Sequence, residues 1–204
     1  MIGERWALLV VRELLLGPKR FTDLRAGLRH IGPDVLSLRL RELEQAGVVR
    51  RGILPPPAGS RIYELTERGR ELEPVILALG RWGSRAPFPE GAQQLSVDAF
   101  AVALKTVFDS AGADDLDATI GLRISEQPFV ARVADGQLEL THGSPRACEA
   151  SIAGDPEALS QVLWHGESLA SALSERRIAV DGDRAAARRF LALFPLPTPA
   201  AAVT

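Results

Sequence analysis

The sequence predicts an α+β protein of two domains. Short helices and one β-hairpin come first, and a domain of helices packed on a mainly antiparallel sheet follows. Apolar residues recur at helical spacing over the first 46 residues, and apolar and polar residues alternate from about residue 119. Residues 84–93 contain two prolines and one glycine and show neither period, which is typical of a linker. We therefore expect domains at residues 1–83 and 94–196, a linker at 84–93 and a tail at 197–204.

Charge is divided unequally between the two halves. The chain of 204 residues has a net charge of −2. Residues 1–85 hold 15 Lys and Arg against 10 Asp and Glu, whereas residues 86–204 hold 9 against 16. The first half therefore carries +5 and the second −7, which indicates that a polyanionic partner would meet the first half.

Composition excludes several classes of protein. Cys148 is the only cysteine, so neither a disulfide scaffold nor a multi-cysteine zinc site is expected, and the sequence assigns Cys148 no role. Residues 6–16 form the longest apolar-rich run, but it is too short and too charged to cross a bilayer. With no signal peptide or catalytic constellation, we expect a cytoplasmic protein without a membrane partner, cofactor, metal or enzymatic activity.

The N-terminal domain opens with three predicted helices. The first spans residues 6–16 and ends at Gly17-Pro18. Phe21 and Thr22 offer a staple residue and an N-cap for a second helix through residue 28. Pro33 then opens a third helix that runs to residue 46.

A hairpin and a fourth helix complete this domain. Gly47 is a suitable C′ residue for the third helix, and strands are predicted at residues 48–54 and 61–65 with a turn at 55–60. Thr66 caps one last helix, whose apolar residues recur at a spacing of three to four: Leu72, Val75, Ile76, Leu79 and Trp82.

The C-terminal domain alternates between helices and strands. The predicted helices lie at residues 97–108 and 156–164, after Ser168, and from Asp183 to residue 194; the predicted strands lie at 119–125, 129–134, 137–141, 149–153 and 178–180. Asp135-Gly136 is the type I′ turn signal of a hairpin. Asp155, Ser168 and Asp183 are the expected N-caps.

The order helix, helix, basic hairpin is typical of a winged helix-turn-helix, in which the second helix enters the major groove of DNA. At about 100° per residue, the helix of residues 33–46 places its core on one side: Val35, Leu36, Leu40 and Leu43. The opposite side carries Asp34, Ser37, Leu38 and Arg41. Arg39 falls near the core, where we expect an edge position or an ion pair and not base reading.

These residue types limit which bases can be read. Arg41 can bind guanine or a phosphate, Ser37 a base or a phosphate, and Leu38 a thymine methyl group. The chain contains no Asn, so bidentate adenine contacts are not expected. Phosphate contacts are assigned to Lys19, Arg20, Arg25, Arg29, Arg50, Arg51 and Arg61. A solvated charged surface remains the simpler explanation of the same pattern.

Residues 2–83 resemble the HxlR family of bacterial transcription regulators, which is related to MarR. The resemblance rests on four stretches: IGERWALLVVREL from Ile2, RFTDL from Arg20, IGPDVLSLRLRELE from Ile31 and YELTERG from Tyr63. It implies a homodimeric winged helix that binds a pseudo-palindromic operator and dimerises through its terminal helices. The recognition helix would begin at Pro33 and the wing would span residues 48–65. Asp34 and Leu38 stand where the family commonly has Lys and Gln.

Residues 95–196 resemble the sterol carrier protein fold. The resemblance rests on GDPEAL from Gly154, IAVDGD from Ile178 and RRFLALF from Arg188. It implies an apolar cavity for a lipid-like effector, lined by Phe100, Leu104, Phe108, Phe129, Leu163, Trp164, Phe190 and Phe194. Ordinary core packing is the alternative explanation for each of them.

Together these features predict a transcriptional regulator, specifically a repressor, that binds double-stranded DNA as a homodimer. Its acidic domain would bind an apolar small-molecule effector. The alternative is a lipid or small-molecule carrier whose helical domain serves dimerisation.

Overall fold

The computed structural model describes residues 2–54, 59–86 and 95–199. Contacts between residues divide the chain into two compact units, Met1–Leu79 and Gly80–Thr204. Parts of the predicted hairpin turn (55–58), linker (87–93) and tail (200–204) lie outside the described residues. Each unit is considered separately below.

The N-terminal unit begins with two short helices, α1 (Ala7–Leu14) and α2 (Phe21–Gly27). Thr22 is not the N-cap of α2, and that prediction is wrong. Arg20 occupies the cap position, and its backbone N–H donates to the Asp23 carboxylate at 3.2 Å. The helix therefore starts two residues earlier than predicted, at Phe21, and the Asp23 carboxylate accepts the backbone N–H of the cap residue itself.

The third helix, α3 (Pro33–Gln45), begins at the predicted residue and ends one residue before the predicted end. Pro33 occupies the first helical position, and Gly47 lies just beyond the end with a φ of +68°. Leu36, Leu40 and Leu43 are buried as predicted. Val35 is not part of the core, since it is 39% exposed. It lies at the edge of the apolar side of the helix, about 80° from Leu43, the nearest buried position, and this edge is open to solvent.

The wing is an antiparallel pair, β1 (Val49–Ile53) and β2 (Arg61–Leu65), with Val49 opposite Leu65 and Ile53 opposite Arg61. Lys19 extends it, because its backbone N–H donates to Tyr63 O at 2.9 Å and its carbonyl accepts from Tyr63 N at 2.8 Å. The loop between α1 and α2 thus pairs with the wing through a single antiparallel β-bridge.

Thr66 caps a helix as predicted, since its hydroxyl accepts from Gly69 N at 3.0 Å. The single helix predicted after it is instead two, α4 (Glu67–Arg70) and α5 (Glu73–Gly83). Pro74 explains the break, because its ring would clash with the carbonyl of Arg70 in a continuous helix and it lacks the N–H to bond it.

A buried carboxylate joins the elements of the N-terminal unit. Glu13 on α1 is fully buried, with Lys19 Nζ 2.7 Å from its Oε2 and Arg12 Nη2 3.0 Å from its Oε1. A Cβ at Gly27 on α2 would lie 2.4 Å from Glu13 Oε2, so the helix passes directly against the carboxylate. A charge buried in this way is tolerated only with such partners.

The C-terminal unit has one five-stranded sheet in the order β5-β4-β3-β6-β7. The strands are β3 (Ala118–Ile124), β4 (Gln127–Ala134), β5 (Gln137–His142), β6 (Ala150–Gly154) and β7 (Ile178–Gly182). Only the β3–β6 pair is parallel, so the sheet is mainly antiparallel as predicted. The predicted turn is also confirmed, because Asp135 and Gly136 have φ values of +51° and +66°.

The α-helices of this unit begin at side-chain caps. They are α6 (Val97–Val107), α7 (Pro156–Trp164), α8 (Leu169–Ser174) and α9 (Arg184–Leu191), and an uncapped 3-10 turn (Ala111–Ala113) follows α6. The predicted caps Asp155, Ser168 and Asp183 each accept a backbone N–H of the following turn. Helix α9 ends at Leu191, three residues before the predicted end. The α+β fold class is confirmed for both units.

Candidate nucleic-acid interface

The exposed side of α3 is the centre of the candidate interface. Pro33, Asp34, Leu38 and Arg41 are exposed there and Ser37 is half-buried, so the structure brings all five predicted residues onto one helix. Arg41 Nε donates to the Ser37 carbonyl at 3.3 Å, which keeps the guanidinium beside the helix rather than extended from it.

Arg39 lies at the edge of the core and forms the predicted ion pair. Its side chain is mostly buried, with Nη2 3.1 Å from Glu4 Oε2, and Nη1 contacts Glu42 one turn along the helix. These three residues line a polar cleft of about 540 Å³ together with Gln45, Ala46 and Arg68. Arg39 thus anchors the chain before α1 to the recognition helix rather than facing outward.

The cations of the wing divide between its two faces. Arg50 and Arg51 are neighbours on β1, so their side chains leave opposite faces of the hairpin. Arg50 pairs with Glu64 directly across from it at 2.9 Å. Arg51 instead lies over the Tyr63 ring and reaches Glu44 of α3 at 3.1 Å. Both side chains remain more than half exposed. Ion pairs this exposed are weak, so a DNA phosphate can replace the glutamate as the partner of either arginine.

The remaining predicted phosphate contacts differ in how accessible they are. Arg20, Arg25, Arg29 and Arg61 are exposed. Lys19 is not comparable to them, because its side chain is only 12% exposed and its ammonium lies against buried Glu13. A phosphate would have to compete with that carboxylate. The sequence analysis did not predict this ion pair. The charged residue Glu13 within the apolar run of residues 6–16 could have indicated that a buried carboxylate needs a cationic partner.

The predicted effector-binding residues are mostly core residues in the structure. Phe100, Leu104, Phe129, Phe190 and Phe194 are almost fully buried, whereas Phe108, Leu163 and Trp164 are half-buried.

Five of the aromatic residues form one connected cluster. Ring centroids lie 5.4 Å apart for Phe100 and Trp164, 6.0 Å for Phe108 and Phe194, and 4.9 Å for Phe190 and Phe194. Trp164 Nε1 donates to the Phe194 carbonyl at 3.0 Å, which joins the first pair to the rest. Phe129 instead stacks on His142 at 4.3 Å, and His142 Nε2 lies 2.7 Å from Asp98 Oδ1.

Residues 2–54, 59–86 and 95–199 contain neither a membrane-spanning helix nor a cluster of metal-binding side chains. No helix there is long and apolar enough to cross a membrane. No three His, Cys, Asp or Glu side chains of that part of the chain are grouped to hold a metal ion.

Two family models match the chain, one for each part. The HxlR-like helix-turn-helix model matches residues 1–89, and the alkyl sulfatase C-terminal model matches residues 89–203. The predicted sterol-carrier-like resemblance agrees with the second match, since this domain is sterol-carrier-like in alkylsulfatases.

Individual relatives agree with these matches. The uncharacterized HTH-type transcriptional regulator YvaP of Bacillus subtilis (strain 168) is 37% identical over 84 residues, which cover 41% of this chain and 78% of YvaP. The HTH-type transcriptional regulator YodB of the same organism is 36% identical over 85 residues, covering 42% of this chain and 76% of YodB.

Solved structures resemble each part of the chain. The reduced form of YodB from B. subtilis is 37% identical and covers 41% of this chain and 82% of its own, with a TM-score of 0.38. The inverting sec-alkylsulfatase Pisa1 from Pseudomonas sp. is 20% identical over 53% of this chain, with a TM-score of 0.48; the match covers 18% of Pisa1. By its N-terminal part the chain belongs to the HxlR-like helix-turn-helix family of transcriptional regulators, and by its C-terminal part to the alkyl sulfatase C-terminal family.

Proposed function

We propose that the protein is a repressor that binds a pseudo-palindromic operator as a homodimer and releases it when an apolar effector occupies the C-terminal domain. The exposed side of α3, with Ser37 and Arg41 placed beside each other and wing cations near its end, is the observation that carries the proposal. Such a regulator would act on the chromosome in the cytoplasm. The net charge of +5 on residues 1–85 supports contact with DNA through this half.

An exposed apolar stripe on α5 supports dimerisation. Val75, Leu79 and Trp82 recur at helical spacing on one face and are 52%, 50% and 74% exposed. Contiguous apolar surface of this kind commonly marks an interface with another chain. A twofold pairing of this stripe with itself would present two recognition helices to two half-sites.

Trp82→Asp tests the dimer directly. Placing a carboxylate in the stripe should convert a dimer into a monomer in sedimentation velocity and weaken operator binding. Ala86→Asp, which inserts the same single negative charge at an exposed site beyond the end of α5, is the control and should leave the dimer intact. A Trp82→Asp variant that remains dimeric would refute the use of this stripe.

DNA binding is tested by selecting operators from random duplexes with the full-length protein and measuring affinity between 50 and 200 mM salt. Arg41→Ala should cost about 1–3 kcal/mol and relax preference at one base pair. Arg61→Ala should weaken all sequences alike and reduce the salt slope. Failure to bind any duplex at low salt would refute the proposal.

The effector is proposed to enter the aromatic cluster of the C-terminal unit. Phe108, Leu163 and Trp164 are its half-exposed members and would form the entrance, while Phe190 and Phe194 would line the interior. Native mass spectrometry of the purified protein should detect a bound apolar molecule. Adding that molecule to the protein should lower the affinity of the protein for its operator. A bound lipid in a protein without DNA affinity would support the carrier function instead.

A further inference from the structure

Two exposed apolar side chains stand near the start of the recognition helix. Val35 and Leu38 are the third and sixth residues of α3 and are 39% and 42% exposed, whereas Leu36 between them is fully buried. Single exposed apolar residues are common on protein surfaces, but these two adjoin each other on the helix that the proposed function places against DNA.

The two side chains share one flank of the helix. Counted at about 100° per residue from Pro33, Leu38 lies near 140° and Val35 near 200°, well away from the buried positions between about 280° and 340°. Residues three apart on a helix have Cβ atoms roughly 5–6 Å apart. That separation spans about one to two steps of stacked bases at 3.4 Å per step.

The chemistry of the major groove leaves one apolar partner. Base edges there present hydrogen-bond donors and acceptors, and the C5-methyl of thymine is their apolar group. The surroundings favour duplex DNA over an apolar protein surface, because Arg41 lies about 60° around α3 from Leu38 and Arg50 and Arg51 lie on the adjoining wing. The acid between the two apolar side chains, Glu42, is held in an ion pair with Arg39. Residues in the first turns of a recognition helix are those that reach base edges.

We infer that Val35 and Leu38 together read two thymine methyl groups, on neighbouring or next-neighbouring base pairs of each operator half-site. The inference rests on the proposed function and adds the base identity to it. Val35 is the new element, since its helical position alone assigns it to the core.

The test removes the methyl groups from the DNA and leaves the protein unchanged. Operators selected by the full-length protein are resynthesised with deoxyuridine in place of each thymine of one half-site, which deletes the methyl and keeps every hydrogen-bonding group. Burying one methyl contributes about 0.8 kcal/mol, so each of two positions should lose about fourfold in affinity.

Protein variants then assign each methyl to a side chain. The Leu38→Ala variant should bind operators with thymine or deoxyuridine equally well at one position, and the Val35→Ala variant should do so at the other position. The unfolding temperatures of both variants should stay close to that of the wild type, because both residues are exposed. Arg41→Ala is the matched control on the same side of α3, and it should retain the fourfold preference at both thymines.

The outcomes separate this inference from the function it rests on. Binding that is indifferent to deoxyuridine, a selected half-site without thymine, or a preference that survives in the double alanine variant each overturns the inference and leaves DNA binding intact. Absence of binding to every duplex overturns both.

Discussion

Replacing Lys19 by Met should destabilise the N-terminal domain without changing the salt dependence of DNA binding. Lys19 Nζ lies 2.7 Å from the carboxylate of Glu13, whose side chain is 0% exposed. Removing one partner of a buried ion pair costs about 3–5 kcal/mol, because the remaining charge stays desolvated. Arg12 still contacts the other carboxylate oxygen, so we expect the lower end, about 3 kcal/mol.

Native-state hydrogen exchange of the full chain measures this loss locally, which avoids assuming that two domains unfold together. Backbone amides of α1 should exchange roughly a hundredfold faster in Lys19→Met. The double variant Glu13→Met with Lys19→Met removes both charges and should recover most of the protection. Arg25→Met, which removes an exposed cation of α2, is the control and should change exchange little.

DNA binding by the same variants decides between a structural and a phosphate-binding Lys19. The salt slope should be unchanged in Lys19→Met, whereas Arg61→Ala should reduce its magnitude by about 1. A stability loss below about 1 kcal/mol, or a double variant no more stable than Lys19→Met, would refute the buried-pair reasoning.

Two further predictions concern single contacts. Gly27→Ala should destabilise the domain by about 1–3 kcal/mol in thermal unfolding, because the added Cβ would clash with the Glu13 carboxylate. The higher helix propensity of Ala acts in the opposite direction. A stabilised variant would show that the carboxylate can move away. Arg177→Gln should raise the pKa of Glu175, which hydrogen bonds from Arg177 and Ser171 hold below its usual range, in an NMR titration. A lowered carboxyl pKa stabilises the folded state at neutral pH, and that contribution is lost as pH falls through the folded pKa. The variant should therefore lose less stability than the wild type on acidification. An unchanged Glu175 titration would contradict this.

Sequence reasoning succeeded where a local signal decides the outcome. Pro33, Gly47 and Thr66 mark helix ends through their own backbone or side-chain chemistry, and Asp135-Gly136 selects its turn in the same way. These preferences act over a few residues and need no knowledge of the rest of the fold.

The errors arose where the outcome depends on a competing or distant group. Thr22 is a residue type that caps helices well, but the Asp23 carboxylate accepts the backbone N–H of Arg20, and the helix begins before Thr22. Val35 falls on the apolar side of a helical wheel, yet whether the third residue of α3 is covered depends on what packs around it. Glu13 belongs to a cluster that includes Lys19 from the following loop, which periodicity within one helix cannot show.

The opposite orientations of Arg50 and Arg51 change how charge in the wing should be counted. A two-stranded ribbon offers one face at a time to a phosphate backbone, so this arginine doublet supplies one counterion-displacing group to a given strand of DNA and not two. The slope of log affinity against log salt should therefore be shallower by about 0.9 per wing than a count of the sequence would give. Arg51 lies over Tyr63 and pairs with Glu44 of α3. A phosphate that binds Arg51 would therefore compete with Glu44, which couples this wing contact to the recognition helix.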